Sequence, residues 1–266
     1  MGVREFFADH AVFSFEEFAQ ALPGRNRTTL WSLLKYHSAH GHIGRIKRGL
    51  YYVVPPGRDP ETYPVDAFLV AGKASDDAVL AYHTALSFHG VAYSVRYAFT
   101  YLTEHPGSRP VEFRGTTYKA VDYPKALLKS EHQSFLVNEE DRRGIKLHVT
   151  ALERALVDAL DRVDLGGGIE EVWRSLESIS YLKVKQVVEY ALLLNNATTT
   201  AKVGWFLDRH REKLHVADDL LEELRRSRPA QLHYMFRSER CGVVVPEWNL
   251  VVPAAVLERS WEEPEW

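Results

Sequence analysis

The sequence predicts an α+β protein, in which an N-terminal winged helix-turn-helix precedes a larger mixed α+β domain with a helical second half. Three patterns carry that prediction. Two short amphipathic helices are separated by Pro23-Gly24-Arg25-Asn26, and two alternating strands then flank Lys47-Arg48-Gly49. Beyond Pro64 strand and helix periodicities mix, and mostly helical periodicity follows Ala151. The 266 residues are 45% hydrophobic and 26% charged, enough apolar material for a sizeable core without disulfide or metal staples.

The first helix opens at Ser14. Its hydroxyl can cap the chain while Glu17, three residues on, returns a bond to the Ser14 backbone N–H. Phe15, Phe18, Ala19 and Leu22 follow at i, i+3, i+4 and i+7 as one apolar stripe. The Pro-Gly break ends it, and a second helix is predicted from Arg27 to His40. Leu30, Leu33, Leu34 and His37 share its inner face. Thr28, Ser32, Lys35 and Ala39 share the opposite one, flanked by Thr29 and Trp31. That outward face is polar, small and cationic, with no acid to repel phosphate. Strands are predicted at His42–Ile46 and Leu50–Val54, and Gly49 permits a turn that a side chain would resist. The hairpin is expected to project Lys47 and Arg48 at its tip with Arg45 beside them. A helix-turn-helix followed by a basic hairpin is a winged helix, whose second helix enters the major groove. Pro55-Pro56-Gly57 punctuates the chain, so one domain is expected over residues 1–58 and another over 64–266.

In the second part, Val65–Ala71 and Val79–His89 read as helices, the latter stopped by Gly90. Tyr97–Thr103 and Pro110–Val121 read as strands, with Ser134–Asn138 and Ile145–Val149 as two more. Helices are then predicted at Ala151–Leu160, Ile169–Ser178, Leu182–Leu194, Thr198–His210 and Ala217–Arg226. Short apolar runs at Gly242–Val245 and Asn249–Val252 precede an acidic, Trp-bearing tail.

Over the whole chain, 33 Lys and Arg against 36 Asp and Glu give a net charge of −3, which argues against a protein built to bind nucleic acid. Counting by segment reverses the argument. Residues 1–58 carry +4 and the remainder −7, and from Phe18 to Arg58 seven cations stand without one acid. Such asymmetry points to a nucleic-acid-binding module, against the alternatives of a solvated basic face or a protein-interaction winged helix. Arg25, Arg27, Arg45, Lys47 and Arg48 are expected to hold phosphates, while Thr28, Thr29, Ser32 and Lys35 present base-reading groups. Double-stranded DNA is thus the expected partner. Three or four phosphate contacts per module bind weakly, so useful affinity needs two modules on one operator.

Other chemistries are expected to be absent. One cysteine, Cys241, excludes an intrachain disulfide and any multi-cysteine metal site, and it suits a reducing, cytoplasmic setting. No apolar run approaches membrane-spanning length, and the start MGVREFFADH lacks a signal-peptide pattern. Asp158, Asp161 and Asp164 recur at i, i+3 and i+6. The first two could share a divalent cation, but a solvated helix end is the better reading because no third ligand is assignable. Gly166-Gly167-Gly168 lacks the lysine of a phosphate loop and reads as a helix cap or linker. His37, His40 and His42 cluster without a zinc-type spacing, and these three, like His83 and His89, read as core or surface residues. Trp173, Trp205 and Trp248 read as core. Neither Ser87 nor Cys241 has a catalytic context, so no enzymatic site, metal or cofactor is expected.

Four blocks in order carry a further resemblance: Ile43–Tyr51 (IGRIKRGLY), Ala81–Gly90 (AYHTALSFHG), Thr150–Asp161 (TALERALVDALD) and Gly166–Val172 (GGGIEEV). Together they resemble the AbiEi family of antitoxins, the transcriptional-regulator half of a phage-defence toxin–antitoxin system, over nearly the whole chain. The resemblance implies an N-terminal winged helix that represses its own promoter at inverted repeats, and a C-terminal domain that antagonises a nucleotidyltransferase-type toxin. Residues and charge alone leave open a stand-alone winged-helix regulator, or an interaction-only antitoxin whose basic module contacts the toxin or an RNA.

Overall fold

The computed structural model describes residues 2–107, 109–236 and 241–258 (of Glu258 only the backbone), so the acidic tail lies outside the described residues. The chain opens with helix α1 (Val3–Asp9), strand β1 (Val12–Ser14), helices α2 (Phe15–Ala21) and α3 (Arg27–Ala39), and strands β2 (Ile43–Lys47) and β3 (Leu50–Val53). Next come α4 (Ala67–Gly72), β4 (Val79–Leu80), α5 (His83–Phe88), β5 (Ala98–Thr103), β6 (Val111–Phe113), β7 (Thr116–Asp122), α6 (Lys125–Ser130), β8 (Val137–Arg142) and β9 (Ile145–Thr150). The helices α7 (Leu152–Asp161), α8 (Val163–Gly166), α9 (Ile169–Glu177), α10 (Val184–Leu193), α11 (Ala197–Arg209), α12 (Arg211–Leu214) and α13 (Asp218–Arg226) follow. The described chain ends with β10 (His233–Tyr234), β11 (Val243–Val245), β12 (Leu250–Val252) and α14 (Ala254–Glu258). The fold is mixed α+β. No helix among the described residues is long and apolar enough to cross a membrane.

The chain makes two compact units, both discontinuous. The first comprises Met1–Leu80, Tyr97–Asp122 and Asn138–Val149; the second comprises Ala81–Arg96, Tyr123–Val137 and Thr150–Trp266. This division departs from the expected one at residues 58 and 64. The first 58 residues belong to the same unit as a six-stranded sheet of order β6-β7-β5-β4-β9-β8. Three cations make the join. Lys47 Nζ donates to the Ala74 carbonyl at 2.5 Å, and Lys73 Nζ pairs with Glu17 Oε1 at 2.5 Å. The Arg114 guanidinium reaches Tyr52 Oη at 2.8 Å and the carbonyls of Pro60 and Tyr63, with the Tyr52 and Phe113 rings beneath it. Through the Arg114 and Tyr52 bonds to Pro60 and Tyr63, the segment after Val54 is bonded in place rather than left as a linker.

Within the first unit, β1, β3 and β2 form a small antiparallel sheet in that order. Its apolar side and the helices enclose Phe6, Phe13, Phe15, Phe18, Leu22, Leu30, Leu34, Ile43 and Tyr51. The Ser14–Glu17 capping box forms as expected, with bonds of 3.1 and 2.7 Å. Helix α1 and strand β1 had no clear sequence signal. α1 is seven residues long, and β1 exists only by pairing with β3, Val12 opposite Tyr52.

Two expected elements divide. Val79 and Leu80 are strand rather than helix because β4 is paired on both sides, antiparallel to β5 and parallel to β9. Tyr82, with φ of 56°, then breaks the run before α5. The expected strand Pro110–Val121 is a hairpin, β6 and β7, turning at Arg114 and Gly115, both in the left-handed region. The expected strand at Ser134–Asn138 starts later, at Val137, and α6 precedes it.

The second unit is built on α7, whose Ala155, Leu156, Val157, Ala159 and Leu160 are buried, and Trp173, Trp205 and Trp248 are core as expected. Asp158 corrects the expected solvated helix end. It is buried against Arg154, whose Nε lies 3.4 Å from Asp158 Oδ2, and Tyr190 Oη donates to its Oδ1 at 2.6 Å. Arg154 Nη1 donates to the carbonyls of Gln133 and Phe135 at 2.8 and 2.7 Å, and the guanidinium lies over the Tyr190 ring. Burial pushes the Asp158 carboxyl up to about 6, against the pull of Arg154 and Tyr190. Asp161 instead accepts from Thr199 Oγ1 and Asn196 Nδ2. Among the described residues no group of three or more His, Cys, Asp or Glu side chains is arranged to hold a metal ion.

Removing one member of a buried pair strands the other. Arg154→Ala is therefore expected to lower unfolding free energy by about 3–5 kcal/mol in urea titration. A loss below about 1 kcal/mol would mean that Asp158 is compensated without Arg154.

Candidate nucleic-acid interface

Asn26 starts α3. Its Oδ1 accepts from Thr29 N at 2.8 Å and from Thr29 Oγ1 at 2.9 Å, an N-cap that also engages the threonine hydroxyl. Leu30 and Leu34 turn into the core, which leaves Thr28, Thr29, Ser32, Lys35 and Tyr36 exposed on the opposite side. Ser32 Oγ donates back to the Thr28 carbonyl at 3.0 Å. The protons of Thr29 and Ser32 thus stay with the helix, and their oxygens remain available as acceptors toward a partner. Lys35 and Arg25 are exposed and, among the described residues, have no acidic partner.

Arg27 is placed differently. Its guanidinium grips the Glu16 carboxylate through two bonds of 2.9 and 3.2 Å and lies 4.6 Å from the Phe15 ring centroid. Trp31 stacks on the same ring at 4.2 Å. Arg27 therefore links α3 to α2 by an ion pair that lies in solvent.

The hairpin turns on Arg48 and Gly49, with Gly49 at φ of 82°, and the Gly49 carbonyl accepts from Phe15 N at 2.8 Å. A bulge between Arg45 and Lys47 shifts the register. Arg45 and Arg48 are exposed. Lys47 turns inward to Ala74, where burial lowers its ammonium pKa against the pull of Asp76. The expected three-cation tip is thus two cations. Gly44 has a packing reason: a Cβ there would lie 2.1 Å from the Tyr52 ring, whose hydroxyl donates to Pro60 O.

The structure brings Arg25, Arg27, Thr28, Thr29, Ser32, Lys35, Arg45 and Arg48 to the exposed surface of α3, its lead-in turn and the hairpin, pairs Arg27 with Glu16 there, and withdraws Lys47 into a structural bond. Sequence reading passed over Tyr36 and His40. Its only signal for them was spacing, since Thr28, Ser32, Tyr36 and His40 stand at successive i+4 positions.

The polar clusters of the second unit brace structure. His83 Nε2 lies 3.0 Å from Glu171 Oε1, and Ser94 and Ser175 hydroxyls also donate to Glu171. Both serines bond the carboxylate rather than the imidazole, so no nucleophile–base pair forms here. His89 Nε2 bonds the Thr150 carbonyl at 2.8 Å. Gly167 caps α8 and Gly168 starts α9, whose first turn carries Glu170 and Glu171, a poor setting for phosphate.

Two outcomes follow from these placements. Lys47→Ala should cost about 1–2 kcal/mol in chemical unfolding because the Ala74 carbonyl loses its donor, whereas Arg48→Ala should change stability by less than about 0.5 kcal/mol. Equal effects of the two substitutions would contradict the assignment. Burial also lowers His83 despite its bond to the Glu171 carboxylate, so the native state binds that proton less readily than a free imidazole does. The unfolded chain takes up that proton near its ordinary pKa of about 6.5. Stability is therefore present above that pH and is lost as pH falls below it. Urea midpoints of His83→Gln should fall less than those of the parent between about pH 7.5 and about pH 5.5.

No protein-family model matches the chain, and no curated protein matches its sequence. In three dimensions it is similar to the RV2827C protein from Mycobacterium tuberculosis in its crystal structure. The TM-score is 0.58 over 98% of this chain and 93% of that one, at 15% sequence identity. At that identity the likeness is one of fold, extending along nearly the whole length of both chains.

Proposed function

We propose that the protein is a DNA-binding regulator whose first 58 residues act as a winged helix-turn-helix. One observation carries the reading. Arg25, Lys35, Arg45 and Arg48 lie exposed along α3, its lead-in turn and the following hairpin, with no acidic partner among the described residues. The order helix, strand, helix, helix, hairpin, with sheet order β1-β3-β2, supports the same reading. The cations position the module on phosphates, and Thr28, Thr29 and Ser32 turn acceptor oxygens toward base edges.

The blocks resembling AbiEi antitoxins extend the proposal to autorepression and antagonism of a nucleotidyltransferase-type toxin. Three of the four blocks are joined by hydrogen bonds in the second unit. His83 of the second block bonds Glu171 of the fourth, and His89, also of the second, bonds the carbonyl of Thr150, which opens the third. Residues that depend on one another in this way support reading the blocks as one motif.

Four phosphate contacts predict a log–log salt slope of about −3 to −4 for one module on its own upstream DNA. Arg45→Ala and Arg48→Ala should each flatten that slope by about one and weaken all sequences evenly, while Lys35→Ala should also alter sequence preference. Salt-independent or absent binding would sink the proposal. Co-expression of the full chain with the neighbouring toxin gene tests the antitoxin half separately, since failure to restore growth leaves the DNA-binding half standing.

A further inference from the structure

Beyond the cations already named, the end of α3 carries a group of imidazoles that the regulator reading does not use. His37 Nδ1 and His42 Nδ1 lie 3.0 Å apart, and the His42 ring is 6.1 Å from that of His40. His40 Nδ1 lies 2.8 Å from the Tyr36 carbonyl, and the two rings of Tyr36 and His40 are 4.1 Å apart. His40 and His42 are exposed; His37 is half-buried, with the edge of Phe7 against it.

The hydrogen bonds assign protons. A carbonyl only accepts, so His40 must donate from Nδ1, and its neutral Nε2 is bare. Two facing Nδ1 atoms can share one proton, so one of His37 and His42 donates and the other accepts. A proton added to His40, or to the donor of the His37–His42 pair, therefore goes to a bare Nε2 and creates a new donor, whereas the accepting ring already carries its proton there. We infer that the exposed His40 and His42, the latter held by His37, form a proton-dependent contact for the phosphodiester backbone, taking up protons when DNA is bound.

Three features point that way. His40 continues the exposed i+4 row of Thr28, Ser32 and Tyr36, so it extends that row by one turn. The site lies at the C-terminal end of α3, where the helix dipole favours a cation. The fields acting on His37 are of one sign. Burial first, and then the fields of His42, His40 and Arg4, lower His37.

Each packed element agrees with that picture. α1 presents Arg4 and Phe7, and its Glu5 is bonded to Gly2 N. Asp9 falls on the helix side away from Arg4 and Phe7. From α3 the neighbour is Tyr36. The chain beyond β3 offers Val54 N to the His42 carbonyl and sets Pro60 beside Gly41, while Asp59 there accepts from Glu61 N and Thr62 Oγ1. Glu61, like Asp59, bears on Tyr52 rather than on His37. Protonating His37 is thus resisted by burial and by the cations around it, and a phosphate beside the exposed imidazoles supplies an anion.

The inference rests on the DNA-binding reading, and one set of titrations separates the two. Affinity for a labelled mixed-sequence duplex is measured by fluorescence anisotropy at constant ionic strength. The parent should bind at least about tenfold more tightly at about pH 6 than at about pH 8, the effect of one proton taken up. In the His40→Gln/His42→Gln protein that difference should shrink to under about twofold. The His40→Arg/His42→Arg protein should bind tightly at both values. Thermal unfolding of each variant shows that these exposed changes leave the fold intact. Equal parent affinity at both pH values, or an undiminished pH effect in the Gln protein, overturns this inference alone. Absence of binding at every pH overturns the DNA reading and this inference with it.

Discussion

A cationic head that is bonded to a carbonyl or carboxylate of its own chain is less available to a phosphate. That constraint organises the first unit. Lys47, Lys73 and Arg114 join the N-terminal helices to the six-stranded sheet through Ala74, Glu17, Pro60 and Tyr63. Arg27 pairs with Glu16 at the surface. Within the basic stretch of seven cations without an acid, Lys47 is thus drawn inward while Arg25, Arg27, Lys35, Arg45 and Arg48 face outward. Because α3 and the hairpin are bonded onto a sheet, the proposed reading surface is formed before any partner arrives, and little ordering entropy is lost on binding.

Local signals were legible, and non-local ones were not. Ser14 and Glu17 announce α2 because a capping box is written within four residues. Leu30 and Leu34 announce the inner face of α3 because helical period alone sorts them from Thr28 and Ser32. Lys47 could not be sorted from Arg48 in this way. Both are basic and adjacent in the hairpin, and the carbonyl that claims Lys47 lies 27 residues away. The same limit hid the β4 strand, whose two residues are extended only because partners flank them on both sides. It also hid the hairpin of β6 and β7, where an arginine rather than the usual glycine or asparagine takes the first left-handed position.

The second unit shows the same limit in its core. Asp158 and Asp161 differ by three positions and share a helix, yet one is paired deep inside with Arg154 and the other accepts from a threonine and an asparagine nearer the surface. Spacing could place them on one face; burial separates them. His83 and Glu171 lie 88 residues apart in sequence, and only the folded chain makes them partners. Buried polar groups of this kind confer little net stability over an apolar substitute, but each member becomes costly to lose once the other is present.

The interleaving of the two units bears on how the protein is made. The chain crosses from one unit to the other five times, and the first unit is complete only when Asn138–Val149 has been added. At about 5–20 residues per second of synthesis, the N-terminal helices wait for several seconds beside an unfinished sheet. During that interval Val79 and Leu80 have neither strand neighbour until β5 and then β9 arrive. The nascent protein therefore cannot mature one domain at a time from its N-terminus. Its order of assembly follows the sheet rather than the ribosome.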